Sequence, residues 1–491
     1  FNKGVLLSGK ALYKEAVSLY LSAIEKMPFH FESHYNLGIS YKRLGDLKKA
    51  LQVFEKTFSL GAMARKAKVL HNAGLVARDL GALKKARRYF ERSISLRPMY
   101  LKPRFGLASL EPITPRGLSR ALKEYDKIIR LDPNYAPTYV HLGLLHSSHK
   151  NYRLAEKTYQ KAIDLQPGYL KARYNLGLIL LDQKMYQDAQ AQFSEILKRS
   201  PEHAESYFNL GRIAFASKHH EEAIKRYEKA IELRQGIYPA ASYNLGLVFA
   251  GKKESKAAIQ TYLSAIKQQP HWPEAYYNLG LSHLREKEFD QAEAAFLKAI
   301  EQNPEYEQAM YNLGILFSRK QENDKAIRYL KQAVTINPDY HSARLNLAVR
   351  YAQIEDYAKA IAQYNELLSR DGTYAAAWFN LALAYLKTKD REAAADAFRA
   401  VLELDPENTR ALKLLGRTLS KLKKTEQAIE ILEKGVTADA ADAKLRLELG
   451  RIYRRTKQFV KAKENLEKAL RLSPEDKRIK RELKRLSTQT R

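Results

Sequence analysis

The chain has 491 residues, no cysteine and a formal net charge of +30, with 29% of its residues charged. That length exceeds what one compact core normally holds, so internal repetition is the first thing to seek. The absence of cysteine excludes thiolate metal sites, disulfides and cysteine nucleophiles, and no apolar run approaches the roughly 18 residues of a membrane-spanning helix. No signal or targeting segment is visible. The chain opens on Phe1 rather than Met, in mid-element by the register given below, which reads as a fragment or processed form with a region upstream. A cysteine-free chain of this length fits a bacterial protein, and the expectation drawn from it is an envelope or periplasmic setting, with the cytoplasm as the alternative.

Taken in chain order, the elements repeat every 34 residues. Position 8 of the unit is Gly or Ala throughout, from Gly4, Gly38 and Gly74 to Gly416 and Gly450. Position 20 is Ala in all fourteen units, from Ala16 to Ala462, and position 24 is mostly aromatic, as at Tyr20, Phe54, Tyr227 and Phe296. Apolar residues at positions 4, 7, 8 and 11 form one helical stripe, and those at 17, 20, 21, 24, 27 and 28 form a second. A polar turn such as Arg285 to Asp290 separates the two stripes, and Pro at position 32, as at Pro304, ends the second helix. The small residues at 8 and 20 let the two helices approach closely. One such pair has too little apolar surface to stand alone, so the pairs must stack. The spacing predicts an all-α solenoid.

The units divide as follows: 1–100 holds units one to three, the first truncated; 101–135 is an irregular unit; 136–476 holds units five to fourteen; 477–491 is a basic capping helix. In the irregular unit Pro103, Pro112 and Pro115 interrupt the pattern, and Pro112 and Pro115 predict an early stop of its first helix, read as a bend or hinge. In the tail, Ile479, Leu483 and Leu486 fall on one face, suited to covering the last pair, and the other face is strongly basic. The charge is uneven: residues 31–135 and 409–491 each carry a net +13, while 136–408 carry only +2. Basic ends suit acidic partners.

These motifs resemble the tetratricopeptide repeat family, over residues 1–476. The resemblance implies antiparallel helix pairs stacked into a right-handed superhelix of about two turns, with the first helix of each pair lining a concave groove. It also implies a protein-binding role without catalysis or cofactor. The carboxylate clamp of chaperone-binding members needs Asn at position 9, where this chain has none, so binding of a chaperone's acidic terminus is unsupported.

Other chemistry finds little footing. Gly4 to Ala11 and Gly246 to Lys253 spell the glycine and lysine spacing of a phosphate loop, but Ala11 and Lys253 stand where Ser or Thr must hold magnesium. His141, His146 and His149 cluster without an acidic partner at ligand spacing, which favours surface or groove histidines over a metal site. His219 and His220 fall in a turn and are read in the same way. No metal or cofactor is expected.

The residue that packing does not explain is asparagine at position 6. It recurs at Asn36 and Asn72, is replaced by Gly106 and His141, then runs unbroken through Asn175, Asn209, Asn244, Asn278, Asn312, Asn346 and Asn380. In the family architecture this position faces the groove. A primary amide offers an acceptor and two donors and can pair with a peptide group, so a regular row of them can hold an extended chain by its backbone. The row is similar to the asparagine ladder in the repeat region of O-linked N-acetylglucosamine transferases, whose catalytic region has no counterpart here. The other reading is local: the amides bond neighbouring units to one another. At the ends, groove positions turn basic, with Lys42 and Arg43 early and Arg417, Lys421, Arg451, Arg454 and Arg455 late.

The function expected is a non-catalytic scaffold. It binds an extended segment of a partner protein, with acidic contacts at the ends, and supports assembly of a multi-protein complex. Two alternatives stand beside it. One is the targeting or substrate-binding arm of a longer enzyme. The other is nucleic-acid binding through the basic ends, although no recognised nucleic-acid module is present. Contact of the basic tail with anionic lipid is a further expectation for it.

Overall fold

The computed structural model describes residues 1–112 and 114–489. Among the described residues it consists of helices joined by short turns, with no strand. Fourteen helix pairs run from Asn2–Gly9 with Tyr13–Lys26 to Ala443–Arg455 with Phe459–Leu472, and a last helix, Lys477–Gln489, follows. The chain is an all-α solenoid. Residues 1–241 form one compact unit and residues 242–491 a second.

The pair Pro273–Arg285 and Phe289–Gln302 shows why the sequence folds this way. Pro273 sits in the first turn, where its missing N–H costs nothing. The first helix stops in a two-bond cap: the Glu288 N–H donates to the His283 carbonyl at 2.9 Å and the Lys287 N–H to Leu284 at 3.2 Å. That cap needs a left-handed residue, and Lys287 takes it at φ 62°. The same place in the unit is left-handed from Ala11 and Gly45 to Lys457, and Lys holds it most often.

Between the helices lies the contact that sets their spacing. A Cβ built on Gly280 would stand 2.7 Å from the Phe296 ring, and one on Gly38 2.7 Å from Phe54. Gly74, Gly143, Gly177, Gly211 and Gly246 meet the ring of their own second helix in the same way. Alanine at position 20 is 0% exposed in every unit, which leaves no room there for a larger side chain. In the early units the core therefore passes through a repeated sandwich of small residue and ring; from Gly314 onward Leu330, Leu432 and Leu466 take the place of several rings.

The irregular unit departs as its prolines dictate. Its first helix, Lys102–Ala108, has seven residues where those of the units before and after it have seventeen and thirteen, and the second begins at Pro115 behind a Thr114 cap. Glu111, with its side chain 5% exposed, stands in the turn between them, bridging Arg87 of the preceding pair and Arg120 of its own. Ile113 lies outside the described residues. The last helix buries Ile479 and Leu486 fully and Leu483 partly against the final pair, closing the apolar end. Thr490 and Arg491 lie outside the described residues.

Two stability outcomes follow from this geometry. Gly280→Val drives two methyl groups toward Phe296 and should cost about 1–3 kcal/mol, read by chemical denaturation. Lys287→Gly relieves a left-handed lysine at an exposed turn and should stabilise by about 0.5–1 kcal/mol, the strain released less the added freedom of the unfolded chain.

Candidate interaction face

Position 6 lies on the first helix, one residue after the position-5 ring and two before the position-8 glycine that faces the core. Its amide therefore points along the stack. In the second compact unit the Asn278 amide nitrogen donates to Tyr243 Oη at 2.9 Å and to the Glu274 carbonyl at 2.9 Å. Asn312 donates to Tyr277 Oη at 3.3 Å and to Gln308 O at 2.8 Å. In the first unit Asn72 takes Tyr35 Oη and Lys68 O, and Asn209 takes Tyr174 Oη and Glu205 O. In these four the pattern is the same: the amide binds the position-5 tyrosine of the preceding pair, and the carbonyl one turn back in its own helix.

Both amide hydrogens are then spent, and the carbonyl oxygen is what remains. Asn209 Oδ1 accepts from Arg212 at 3.0 Å. Asn278 and Asn312, each half-buried, have no further partner among the described residues.

The row persists where the hydroxyl is missing. Phe1, Val140, Phe208 and Leu345 stand at position 5 ahead of Asn36, Asn175, Asn244 and Asn380. Asn175 Nδ2 is buried there without a hydrogen bond, whereas Asn244 is engaged within the chain. Asn346 follows Tyr311 but makes only the bond to Ser342 O, at 2.8 Å, so the tyrosine tie is absent there too. Asn380 has no side-chain bond among the described residues. It lines a cavity of about 430 Å³ walled by Val349, Tyr357, Leu383 and Leu386, with Lys387 at the rim.

The tyrosines of this face also pack on one another. Tyr243 lies on Trp272 with ring centroids 4.6 Å apart, Tyr277 on Tyr306 at 5.0 Å, and Tyr311 on Tyr340 at 5.0 Å. Burial raises the phenol pKa of Tyr243, Tyr277 and Tyr311 above its usual value. These hydroxyls stay protonated and able to accept from an amide.

The basic groove positions divide. At the late end, buried Glu482 of the last helix receives Arg454 at 3.1 Å and Arg451 at 3.5 Å, and Arg451 also reaches Glu448 at 3.1 Å. Arg417 reaches the same Glu448 at 3.5 Å. Three of the five expected cations are thus held by carboxylates of the chain itself. Lys421 and Arg455 are exposed and without an ion-pair partner among the described residues, as are Arg43 and the half-buried Lys42 at the early end. Glu482 was invisible in the sequence reading, which saw the tail as a basic face over an apolar one. The tyrosine partner was also missed, although it stands beside every asparagine in the Tyr-Asn-Leu-Gly motif.

The remaining sequence features settle into the helices. Gly4 and Gly246 lie within Asn2–Gly9 and Pro239–Gly251, so neither phosphate-loop likeness is a loop. His149 Nδ1 lies 2.9 Å from the Leu145 carbonyl, and His146 is buried in the pair. No cluster of three metal-ligating side chains occurs among the described residues, and no helix among them is long and apolar enough to cross a membrane.

Comparison with known proteins gives one consistent family. Five models described as tetratricopeptide repeat match, together covering most of the chain: residues 19–52, 67–99, 168–236, four stretches from 141–189 to 345–409, and 385–447 with 419–486. A search of curated proteins returned no match. Among solved structures, the chain is similar to the APC/C hetero-tetramer Cut9–Hcn1, at 15% identity over 98% of this chain and 95% of that one, with a TM-score of 0.40. It is similar to the C-terminal part of a TPR repeat-containing protein from Cytophaga hutchinsonii, at 17% identity over 49% and 99%, TM-score 0.45. It is also similar to MamA, at 26% identity over 33% and 95%, TM-score 0.32.

Glu482 gives a direct test of the late-end geometry. Glu482→Ala leaves Arg451 and Arg454 without their carboxylate at the cap, and should destabilise the last helix by about 2–3 kcal/mol. Hydrogen exchange should show protection lost over residues 477–489 and in the final pair, with residues 1–241 unchanged.

Proposed function

The chain belongs to the tetratricopeptide repeat family, whose general role is that of a protein-interaction scaffold, and from its face of anchored amides we propose that it holds an extended segment of a partner protein by that segment's backbone. The observation that carries this reading is the state of Asn278 and Asn312. Two internal bonds fix each amide and consume its donors, which leaves one oriented acceptor per pair. An acceptor repeated at the period of the fold matches the repeated N–H groups of an extended chain and is indifferent to its side chains. Because the amides are held before binding, little rotamer entropy is lost on contact.

Asn380 supplies the counterpart. With no bond of its own it can both donate and accept, and the apolar cavity beside it suits a bulky aliphatic or aromatic side chain of the same segment. Persistence of asparagine after Phe1, Val140 and Leu345, where no tyrosine hydroxyl is present, supports a use beyond tying units together. The biological setting that fits is assembly of a multi-protein complex around a non-catalytic scaffold.

Peptides selected from a random library on the wild-type chain provide the probe. The quadruple variant Asn278→Ala, Asn312→Ala, Asn346→Ala, Asn380→Ala should bind them at least about thirtyfold more weakly, at about 0.5 kcal/mol or more per lost hydrogen bond. Tyr243→Phe, which loosens one amide and keeps its oxygen, should weaken binding far less. Unchanged affinity in the quadruple variant together with a lower Tm would overturn the reading and leave the row as a structural tie.

A further inference from the structure

The asparagine row breaks once, and the break is built. At position 6 of the irregular unit stands Gly106, and a Cβ there would meet the Phe90 ring at 2.5 Å. Phe90 is already covered on its other side by Gly74, at 2.6 Å by the same measure. The short helix Lys102–Ala108 therefore lies too close to Phe90 for any side chain at that position. The residue that would have received the amide differs as well: His71 stands at position 5 of the preceding pair, where Tyr35, Tyr174, Tyr243 and Tyr277 receive the amide in their units. The next asparagine is also gone, replaced by His141, which lies on Phe105 with ring centroids 4.7 Å apart.

Removing an amide and shortening a tyrosine leaves space. A cavity of about 300 Å³ opens here, lined by His71, Arg78, Lys102, Gly106, Ser109 and His141 among others. His71 is only 9% exposed, and its Nδ1 is buried with no hydrogen-bond partner. A buried ring nitrogen left this way costs free energy unless something fills the site. Its ring is held on two sides, by Phe90 at 5.9 Å and Tyr100 at 5.6 Å between centroids. Lys102 is exposed at the rim and has no ion-pair partner among the described residues.

The charges around the cavity are one-sided. Burial, and after it the positive fields of Lys102, Lys42 and Arg78, push the His71 pKa down to about 4. Asp79 is the nearby carboxylate, and it is taken up by Arg78, which approaches it at 2.9 and 3.0 Å and also reaches Ser109 Oγ at 3.3 Å. His141 is held neutral by burial and by Lys171. The whole stretch 31–135 carries +13.

We propose that this cavity is an anion subsite for one carboxylate, an Asp or Glu side chain of the bound segment, taken between Lys102 Nζ and the imidazole of His71. The donor set argues for a single negative charge. One uncommitted ammonium and one neutral imidazole N–H match a carboxylate, whereas a phosphate dianion calls for the bidentate guanidinium that Arg78 has already given to Asp79. The subsite rests on the scaffold reading for its biological ligand, but it is tested with small molecules that cannot span the asparagine face, so the two can fail separately.

The test uses the full chain with 13Cε1-labelled histidine, the His71 resonance being assigned through His71→Gln. N-acetyl-aspartate N-methylamide is the probe, N-acetyl-asparagine N-methylamide its neutral control, and inorganic phosphate the second anion. The expected result is a saturable shift of His71 with the aspartate compound and none with the asparagine compound. Lys102→Ala, at an exposed rim position, should weaken that binding at least about tenfold, the loss of one charge-assisted hydrogen bond, while Lys150→Ala should leave it unchanged. No shift, an equal shift with the neutral control, a response to phosphate alone, or full binding by Lys102→Ala would each overturn the proposal.

Discussion

The structure depends on one contact, a backbone without a side chain pressed against a ring. At Gly38, Gly74, Gly211, Gly246 and Gly280 the first helix lies so near the second that even a methyl group would intrude on Phe or Tyr. That closeness buries the ring completely, as for Phe54, Phe90, Tyr227, Tyr262 and Phe296. It also fixes which residues can face elsewhere. With position 8 pinned to the partner helix, position 5 packs toward the neighbouring pair, as Tyr277 does on Tyr306, and position 6 reaches back to the preceding one, as Asn278 does to Tyr243. Amide and tyrosine thus take their places because the glycine takes its own.

A second level of order joins one pair to the next. Within a pair, the left-handed turn at Lys287 and its equivalents reverses the chain in few residues. Between pairs, the ties are polar and specific: Asn278 to Tyr243 and Asn312 to Tyr277 in the second compact unit, Asn72 to Tyr35 and Asn209 to Tyr174 in the first. Such a stack is stabilised by nearest-neighbour terms. Each tie adds only on the order of 1 kcal/mol, but it orients the amide, and that orientation is what a partner would meet.

The architecture was legible because it is periodic. Ala at 20 recurs in all fourteen units, and Gly at 8, an aromatic at 24 and Pro at 32 recur in most of them, so noise at a single unit cannot hide the packing they state. The capping helix was legible for the related reason that Ile479, Leu483 and Leu486 share a face. What stayed hidden were pairings between side chains on different helices. Asn278 and Tyr243 are 35 residues apart, and the twist between neighbouring pairs decides whether they meet. Glu482 reads as one more charge in a basic tail, yet it lies at 4% exposure beneath Arg451 and Arg454. Arg417, Arg451 and Arg454 looked like free cations because the sequence cannot show that Glu448 and Glu482 arrive beside them.

The irregular unit shows what such a scaffold gains from breaking its own rule. A row of backbone acceptors holds any extended chain about equally well, so it supplies affinity with little choice between partners. Choice has to come from positions that differ from their repeats. Here the shortened helix Lys102–Ala108 slides Gly106 onto Phe90, the amide is lost, and His71 replaces the tyrosine that would have held it. Those changes depend on one another: an asparagine at 106 would collide with the ring, and a tyrosine at 71 would project its hydroxyl toward an amide that is no longer there. Their joint result is a positively biased cavity where the asparagine row is interrupted. On the reading proposed above, a charge demanded at this cavity would add to the backbone contacts a choice of where along its sequence a partner lies.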